Sequence, residues 1–184
     1  MEKSLIISGF GGQGVLLIGN LVAQAALNKG FEVAYMPSYG VEMRGGTAMC
    51  TVVIADRQVS SPVVGKPDSL IVFTQPAFLK FSEKVKEGGL LILNSGMIKV
   101  EKPTRNDIRV VPVDFRKEAE ACGNPRGMNM IALGVYLGLE NTVSVEAIGE
   151  AFPEVIAEKY HKFIPSNMEA IKRGVEIGKT FSTK

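Results

Sequence analysis

The stretch GFGGQGVLLIGNLVAQAAL, Gly9–Leu27, decides the fold. Gly9, Gly11 and Gly14 fit the spacing G-x-G-x-x-G. Lys3–Ser8 (KSLIIS) precedes them as a short apolar run, which reads as a buried strand. Val15–Leu27 follows with helix-forming composition and stops at Lys29–Gly30, where glycine suits a C-terminal cap. Strand, glycine turn and helix together open an α/β unit. The turn leaves backbone N–H groups free at the positive end of a helix dipole, which is favourable for an anion. Three readings stand on this spacing alone: a dinucleotide site, a structural tight turn, or a loop that meets some other anionic ligand or a partner subunit.

A nicotinamide site also needs an acid at the tip of the second strand to hold the ribose hydroxyls. That strand is Phe31–Met36 (FEVAYM), closed by Pro37, and its tip reads Met36-Pro37-Ser38. Glu32 stands at nearly the right count but at the beginning of the strand, on the wrong edge of the sheet. A P-loop is excluded, because no Gly-Lys-Ser/Thr follows the glycines.

Further along, Thr47–Ala55, Ser69–Phe73, Leu90–Asn94 and Ile108–Val113 read as strands, the last with a proline that suits a sheet edge. Asp56–Arg57 is expected to turn into an edge ribbon at Gln58–Ser60, which would make the sheet mixed. Helices are expected around Ala77–Val85, over Phe115–Ala121 capped by Asp114, over Met128–Leu137, from Ser144 through Phe152, and over Asn167–Gly178, with fraying after Lys179. Alternating strands and helices predict an α/β fold: a three-layer α/β/α sandwich on a Rossmann-like, mostly parallel but mixed sheet, in a single domain over residues 1–184.

The 184 residues are 46% hydrophobic and 22% charged, a globular composition with room for one real core. A net charge of +2 is too near balance to argue for nucleic acid. No run is apolar and long enough to cross a bilayer, and the N-terminal stretch does not read as a signal peptide, so a cytoplasmic location is expected. The basic cluster Lys159, His161 and Lys162 reads as a solvated face. Cys50 and Cys122 lack the spacing of a zinc or iron–sulfur site and read as structural. A single histidine, His161, excludes a histidine pair. No catalytic and no metal-ligating set is therefore expected in this chain.

The second informative loop is PSYGVEMRGGTAMC, Pro37–Cys50. It places Tyr39, Glu42 and Arg44 among glycines, immediately before a strand. If the second strand runs parallel to the first, this loop leaves the carboxyl edge of the sheet beside Gly9–Gly14, where ligands bind in open α/β sheets. An arginine there can fork onto phosphate or carboxylate, and Gly45-Gly46 would allow close backbone approach. The alternative is an Arg44–Glu42 surface pair of small energetic consequence.

GFGGQGV followed by SYGVEMRGG resembles the gamma subunit of the 2-oxoacid:ferredoxin oxidoreductases over the whole chain. The specific matches are Gly11-Gly12-Gln13-Gly14 and Tyr39-Gly40-Val41-Glu42-Met43-Arg44-Gly45-Gly46. Weaker ones are Gly127–Gly134 with Asn129, and Asn167, Ala170 and Gly174. The Arg-Gly-Gly form is similar to the 2-oxoglutarate branch more than to the pyruvate branch. The resemblance implies oxidative decarboxylation of a 2-oxoacid to an acyl-CoA in anaerobic metabolism, with ferredoxin reduced. Thiamine diphosphate, magnesium and [4Fe–4S] clusters would then lie in other subunits, alpha and beta and a delta subunit where present. The gamma-type domain would pack beside the coenzyme A site. Gly11, Gly12, Gln13, Gly14, Tyr39, Glu42, Arg44, Gly45 and Gly46 are the residues it would bring to the cofactor or to a neighbouring subunit. The rivals are a nucleotide-binding enzyme standing alone on the Gly9–Gly14 loop and a ligand-binding regulatory relative.

Overall fold

A computed structural model of the chain describes residues 1–40, 46–59, 61–100 and 105–182. Strands β1 (Glu2–Phe10), β2 (Glu32–Tyr39), β3 (Thr47–Ala55), β4 (Ser69–Val72), β5 (Leu90–Asn94) and β6 (Arg109–Val113) form one sheet in the order β2-β3-β1-β4-β5-β6. The pairs β1–β4, β4–β5 and β5–β6 are parallel, while β3 is antiparallel to both β1 and β2. The sheet is therefore mixed because β3 runs against its five companions. The ribbon expected at Gln58–Ser60 is not the cause: Gln58 and Val59 are not in a strand, and Ser60 lies outside the described residues.

Helices α1 (Val15–Asn28), α3 (Phe115–Ala121), α4 (Met128–Leu139), α5 (Val145–Val155) and α6 (Ile164–Ser182) cover one face. Leu5 and Ile7 of β1, Ile54 of β3 and Ile92 of β5 alternate toward these helices and are almost fully buried. Burying each such side chain stabilises the fold by about 1.5–3 kcal/mol. The opposite face carries Ile6, Leu70, Val72, Leu91 and Leu93. A thin layer covers it, made by α2 (Gln75–Phe81) and the 3-10 turn Ser82–Lys84, through Ala77, Phe78 and Phe81. The three-layer α/β/α expectation holds, with layers of unequal thickness.

Several boundaries differ from the sequence reading. Pro37 does not close β2; it pairs with Cys50 inside the strand, which continues to Tyr39. Proline is tolerated there because β2 is an edge strand. The helix expected to end at Val85 gives way to a 3-10 turn after Phe81. The last helix starts earlier, at Ile164, and runs past Lys179 to Ser182. Its end is held because the Arg109 guanidinium donates to the Phe181 carbonyl and Phe181 packs on the core. Asp114 and Ser144 cap α3 and α5 as expected, accepting from Lys117 and Ala147 N–H at 3.0 and 3.2 Å.

Asp68 ties the start of β4 to β1. Its carboxylate accepts from Ser4 N–H (3.0 Å), Ser4 Oγ (2.7 Å) and Lys86 Nζ (3.0 Å). Burial raises its pKa, but the Ser4 and Lys86 hydrogen bonds and the Lys86 charge outweigh this and hold it below the ordinary carboxylate value. A depressed folded-state pKa gives stability that is present above the unfolded value of about 3.9 and lost as pH falls through the folded value. Asp68→Asn should cost about 1 kcal/mol at neutral pH, a figure reduced for partial exposure. In urea titrations the gap between wild type and variant should shrink below about pH 4. A gap that stays constant from pH 7 to pH 2 would contradict this account.

Candidate functional site

Because β1, β2, β4, β5 and β6 point the same way, their carboxyl ends share one edge of the sheet. The Gly9–Gly14 turn leaves β1 there, and the chain after Tyr39 leaves β2 there and re-enters as β3 at Thr47. The two loops meet directly, Gly11 N–H donating to the Gly46 carbonyl at 3.0 Å, while Gly40 N–H donates to the Thr47 carbonyl at 2.8 Å across the base of the second loop. The antiparallel β3, lying between β1 and β2, brings them together. Glu42, Arg44 and Gly45 lie outside the described residues.

Within the glycine turn, Gln13 folds back so that its Oε1 accepts from Phe10 N–H at 2.7 Å, while Nε2 reaches Met97 Sδ at 3.7 Å. Gln13 thus braces the turn from inside. Gly11 and Gly12 are exposed, and Gly12 (φ 86) and Gly14 (φ 74) need the left-handed backbone that glycine accepts freely. Gly14 is the N-cap of α1, no side chain caps that helix, and no acid stands in its first turn. These are the features of an anion-receiving helix start. Tyr39 ends β2 at the same edge of the sheet, across β3 from the glycine turn, and is 72% exposed.

The same edge carries groups that the sequence did not single out. A cavity of about 370 Å³ is lined by Asn94, Gly96, Met97, Asp114, Lys117 and Met128. Asn94 is fixed by donating to the Phe73 carbonyl (3.4 Å) and accepting from Phe115 N–H (3.3 Å). Beneath the loop, Ser8 Oγ and Thr74 Oγ1 are buried with no partner among the described residues. Asn129 of α4, a weaker match in the sequence, lies against Gly14: a Cβ there would sit 2.8 Å from Asn129 Cγ.

Two titratable groups near the loop serve packing. Burial pushes the Cys50 thiol up to about 12, so it remains protonated at neutral pH. Tyr35 is also pushed up to about 12, first by burial, and donates to the Leu16 carbonyl at 3.1 Å. Among the described residues, no three His, Cys, Asp or Glu side chains gather to hold a metal ion, and no helix is long and apolar enough to cross a membrane.

The dinucleotide reading of the glycine turn fails on topology as well as on residue type. The strand next to β1 on that side is β3, so β2 lies two strand spacings away, about 9–10 Å. Glu32 pairs with Ala55, which also pairs with Glu2, at the edge opposite the glycines. Calorimetric titration with NAD or NADP should therefore give no Kd tighter than about 100 μM, or about −5.5 kcal/mol. Low micromolar binding would overturn this reading.

Residues 4–177 match the family described as pyruvate ferredoxin/flavodoxin oxidoreductase. The chain belongs to that family. It is 33% identical over 181 residues to the 2-oxoglutarate synthase subunit KorC of Methanocaldococcus jannaschii, covering 97% of this chain and 95% of that protein. It is 36% identical over 176 residues to the ketoisovalerate oxidoreductase subunit VorA of Methanothermobacter marburgensis, but spans only 36% of that longer protein. The crystal structure of a keto/oxoacid ferredoxin oxidoreductase gamma subunit from Geobacter sulfurreducens is similar at a TM-score of 0.80 and 30% identity, over 97% of this chain and 99% of that one. A 2-oxoglutarate:ferredoxin oxidoreductase from Magnetococcus marinus shares the fold at a TM-score of 0.86, with this chain spanning 31% of its length.

Proposed function

We propose that this chain is the gamma subunit of a 2-oxoacid:ferredoxin oxidoreductase, and that 2-oxoglutarate is the preferred substrate. The observation that carries the reading is the nearly end-to-end likeness to a KorC subunit. In this reading the complex works in the cytoplasm. Alpha and beta subunits, and a delta subunit where present, hold thiamine diphosphate, magnesium and [4Fe–4S] clusters and pass electrons to ferredoxin. The two cysteines here, one of them buried, offer no cluster site of their own. The clusters supply electron transfer in those other subunits.

What this chain contributes is an edge where two glycine-rich loops are tied together at Gly11 and Gly46. Gly12 and the first turn of α1 present backbone to an anion, while Gly11 is held by its bond to Gly46. Arg44, set by sequence between the placed Gly40 and Gly46, adds a planar fork for a coenzyme A phosphate or for a carboxylate of the adjoining subunit. Gln13 holds the turn in shape, and Tyr39, Glu42, Gly45 and Gly46 are the further residues that this reading assigns to the coenzyme or to the neighbouring subunit.

Purification of the tagged chain from its native host tests the reading. Alpha and beta subunits should come with it, and the complex should reduce viologen with 2-oxoglutarate and coenzyme A faster than with pyruvate or ketoisovalerate. The chain alone should give no turnover. Turnover by the isolated chain would overturn the subunit assignment, and a ketoisovalerate preference would overturn the substrate. Arg44→Ala should leave the free chain within about 0.5 kcal/mol of wild type. In the complex it should weaken coenzyme A use or assembly by about 2 kcal/mol, some thirtyfold, with Arg44→Lys restoring part of the loss. A destabilised free chain in a normally active complex would make Arg44 structural.

A further inference from the structure

Gln13 keeps its place in the glycine turn by two unequal contacts. Its Oε1 accepts from Phe10 N–H at 2.7 Å. A backbone N–H can only donate, so the carboxamide has to face it with oxygen and turn Nε2 the other way. There the acceptor is Met97 Sδ at 3.7 Å, the sole one that Nε2 reaches among the described residues. A thioether is a weak acceptor. The side chain that braces the turn is therefore held firmly at one end and weakly at the other. The backbone around Met97 is fixed. Its own N–H and that of Ile98 donate to the Asn94 carbonyl at 3.0 and 2.9 Å, and Gln75 Oε1 accepts from Lys99 N–H at 2.8 Å. The Met97 residue is 49% exposed and lines the 370 Å³ cavity with Asp114 and Lys117.

Exposure separates the methionines. Met130 is buried, Met36, Met49, Met128 and Met168 are partly covered, and among the described residues Met1 and Met97 are the exposed ones. Met1 starts the chain at the opposite edge of the sheet. Met97 belongs to neither apolar core, so an oxygen added to its sulfur disrupts no core packing. Peroxide converts such a thioether to a sulfoxide. The O–O bond breaks, one oxygen bonds to sulfur, which is oxidised, and the other leaves as water. The sulfoxide oxygen is a polar acceptor, unlike the sulfur that it replaces in that role. The 3.7 Å between Sδ and Nε2 leaves room for this oxygen to lie between them with neither residue displaced.

We propose that Met97 is a reversible oxidation site, at which peroxide replaces the weak contact to Gln13 with a strong one and stiffens the glycine turn. A sulfoxide usually loosens a protein, because it places a polar group in an apolar core. Here it gives Gln13 Nε2 the acceptor that the carboxamide lacks, and Gln13 is then held at both ends. Phe10 N–H, and with it the start of the turn, is fixed through the same side chain. Methionine sulfoxide reductase reverses the step with a thiol reductant: the oxygen leaves as water and the thiols are left as a disulfide. The site stands on the Met97–Gln13 contact and not on the subunit assignment.

Dilute hydrogen peroxide applied to the full chain, with peptide masses read at each methionine, tests it. Met97 should be converted at least about tenfold faster than the buried Met130. Met97→Leu, given the same peroxide, reads what every other oxidised group contributes. Relative to that variant, the wild-type melting temperature should rise on oxidation by about 2 °C, the shift expected of one added hydrogen bond in a domain of this size. Gln13→Glu keeps an oxygen for Phe10 N–H but has no donor for the sulfoxide, so its melting temperature should not rise. The Nε2 proton resonances of Gln13 in the wild type should move downfield on oxidation, a readout that decides if Gln13→Glu does not fold. Sulfoxide reductase with dithiothreitol should return both the resonances and the melting temperature. A melting temperature that does not rise relative to Met97→Leu, an equal rise in Gln13→Glu, or unmoved Gln13 resonances would overturn the proposal. Co-purification of the other subunits is a separate readout and is not affected by that failure.

Discussion

Gly134→Ala is expected to lower the melting temperature of the free chain by about 10 °C. Gly134 lies where α4 and α6 come closest. A Cβ there would overlap the Ile171 carbonyl oxygen and sit 2.8 Å from Gly174 Cα and 2.9 Å from Ile171 C. These are backbone atoms, so no side chain can swing aside, and the helices must part. Parting them loosens the contacts of Ile131, Val135, Ala170 and Ile171, all fully buried. Overpacking of this kind costs about 3 kcal/mol, and for a domain of this size each kcal/mol moves the melting temperature by about 2–4 °C. Gly174→Ala should cost a similar amount, because its Cβ would meet the facing α4 backbone at Gly134 Cα (2.8 Å). The double variant should cost clearly less than the sum, since helices already parted admit the second methyl more easily. Gly149→Ala on α5 is the control. Its Cβ would meet just the flexible end of Met168 at 3.3 Å, and alanine favours a helix over glycine by about 0.8–1 kcal/mol. A Gly134→Ala protein as stable as the Gly149→Ala protein would mean that α4 and α6 are not packed backbone to backbone.

That contact also shows where sequence reasoning reaches its limit. Each helix, and its glycines, was visible in local composition. That Gly134 faces Gly174 was not, because a contact between residues forty apart leaves no local signal. The fold class followed from the strand–glycine–helix start and the alternation after it, which are local patterns. The sheet order did not follow, because β3 inserts between β1 and β2 by a hairpin whose turn falls in the Tyr39–Gly46 stretch. Pro37 looked like a strand end because a missing N–H normally breaks a ladder, and on the outer side of an edge strand it breaks nothing. For the candidate site, the two loops were legible separately. Their junction at Gly11 and Gly46, and the arrival of Met97 and Asn129 from distant segments, depended on tertiary packing.

Gly14→Ala should be nearly as damaging, for two separable reasons. The residue has φ 74, a left-handed backbone that costs an alanine about 1–2 kcal/mol. The new Cβ would also overlap the Asn129 carboxamide, 2.8 Å from its Cγ and 3.3 Å from its Cβ. Asn129 cannot withdraw freely, being 7% exposed on the first turn of α4, so moving it shifts the start of that helix. The combined cost should be about 3 kcal/mol. Gly12→Ala isolates the backbone part: φ is 86, but a Cβ there meets nothing within 4 Å, so about 1 kcal/mol is expected. Asn129→Ala isolates the other part. It removes a carboxamide that has no hydrogen-bond partner among the described residues, so alone it should change stability by less than about 1 kcal/mol. In the Gly14→Ala background it should recover about half of the loss, leaving the left-handed strain. Urea unfolding of the four variants measures each step. Equal losses at Gly12 and Gly14, or no recovery on removing the Asn129 side chain, would show that the glycine turn is not seated on α4.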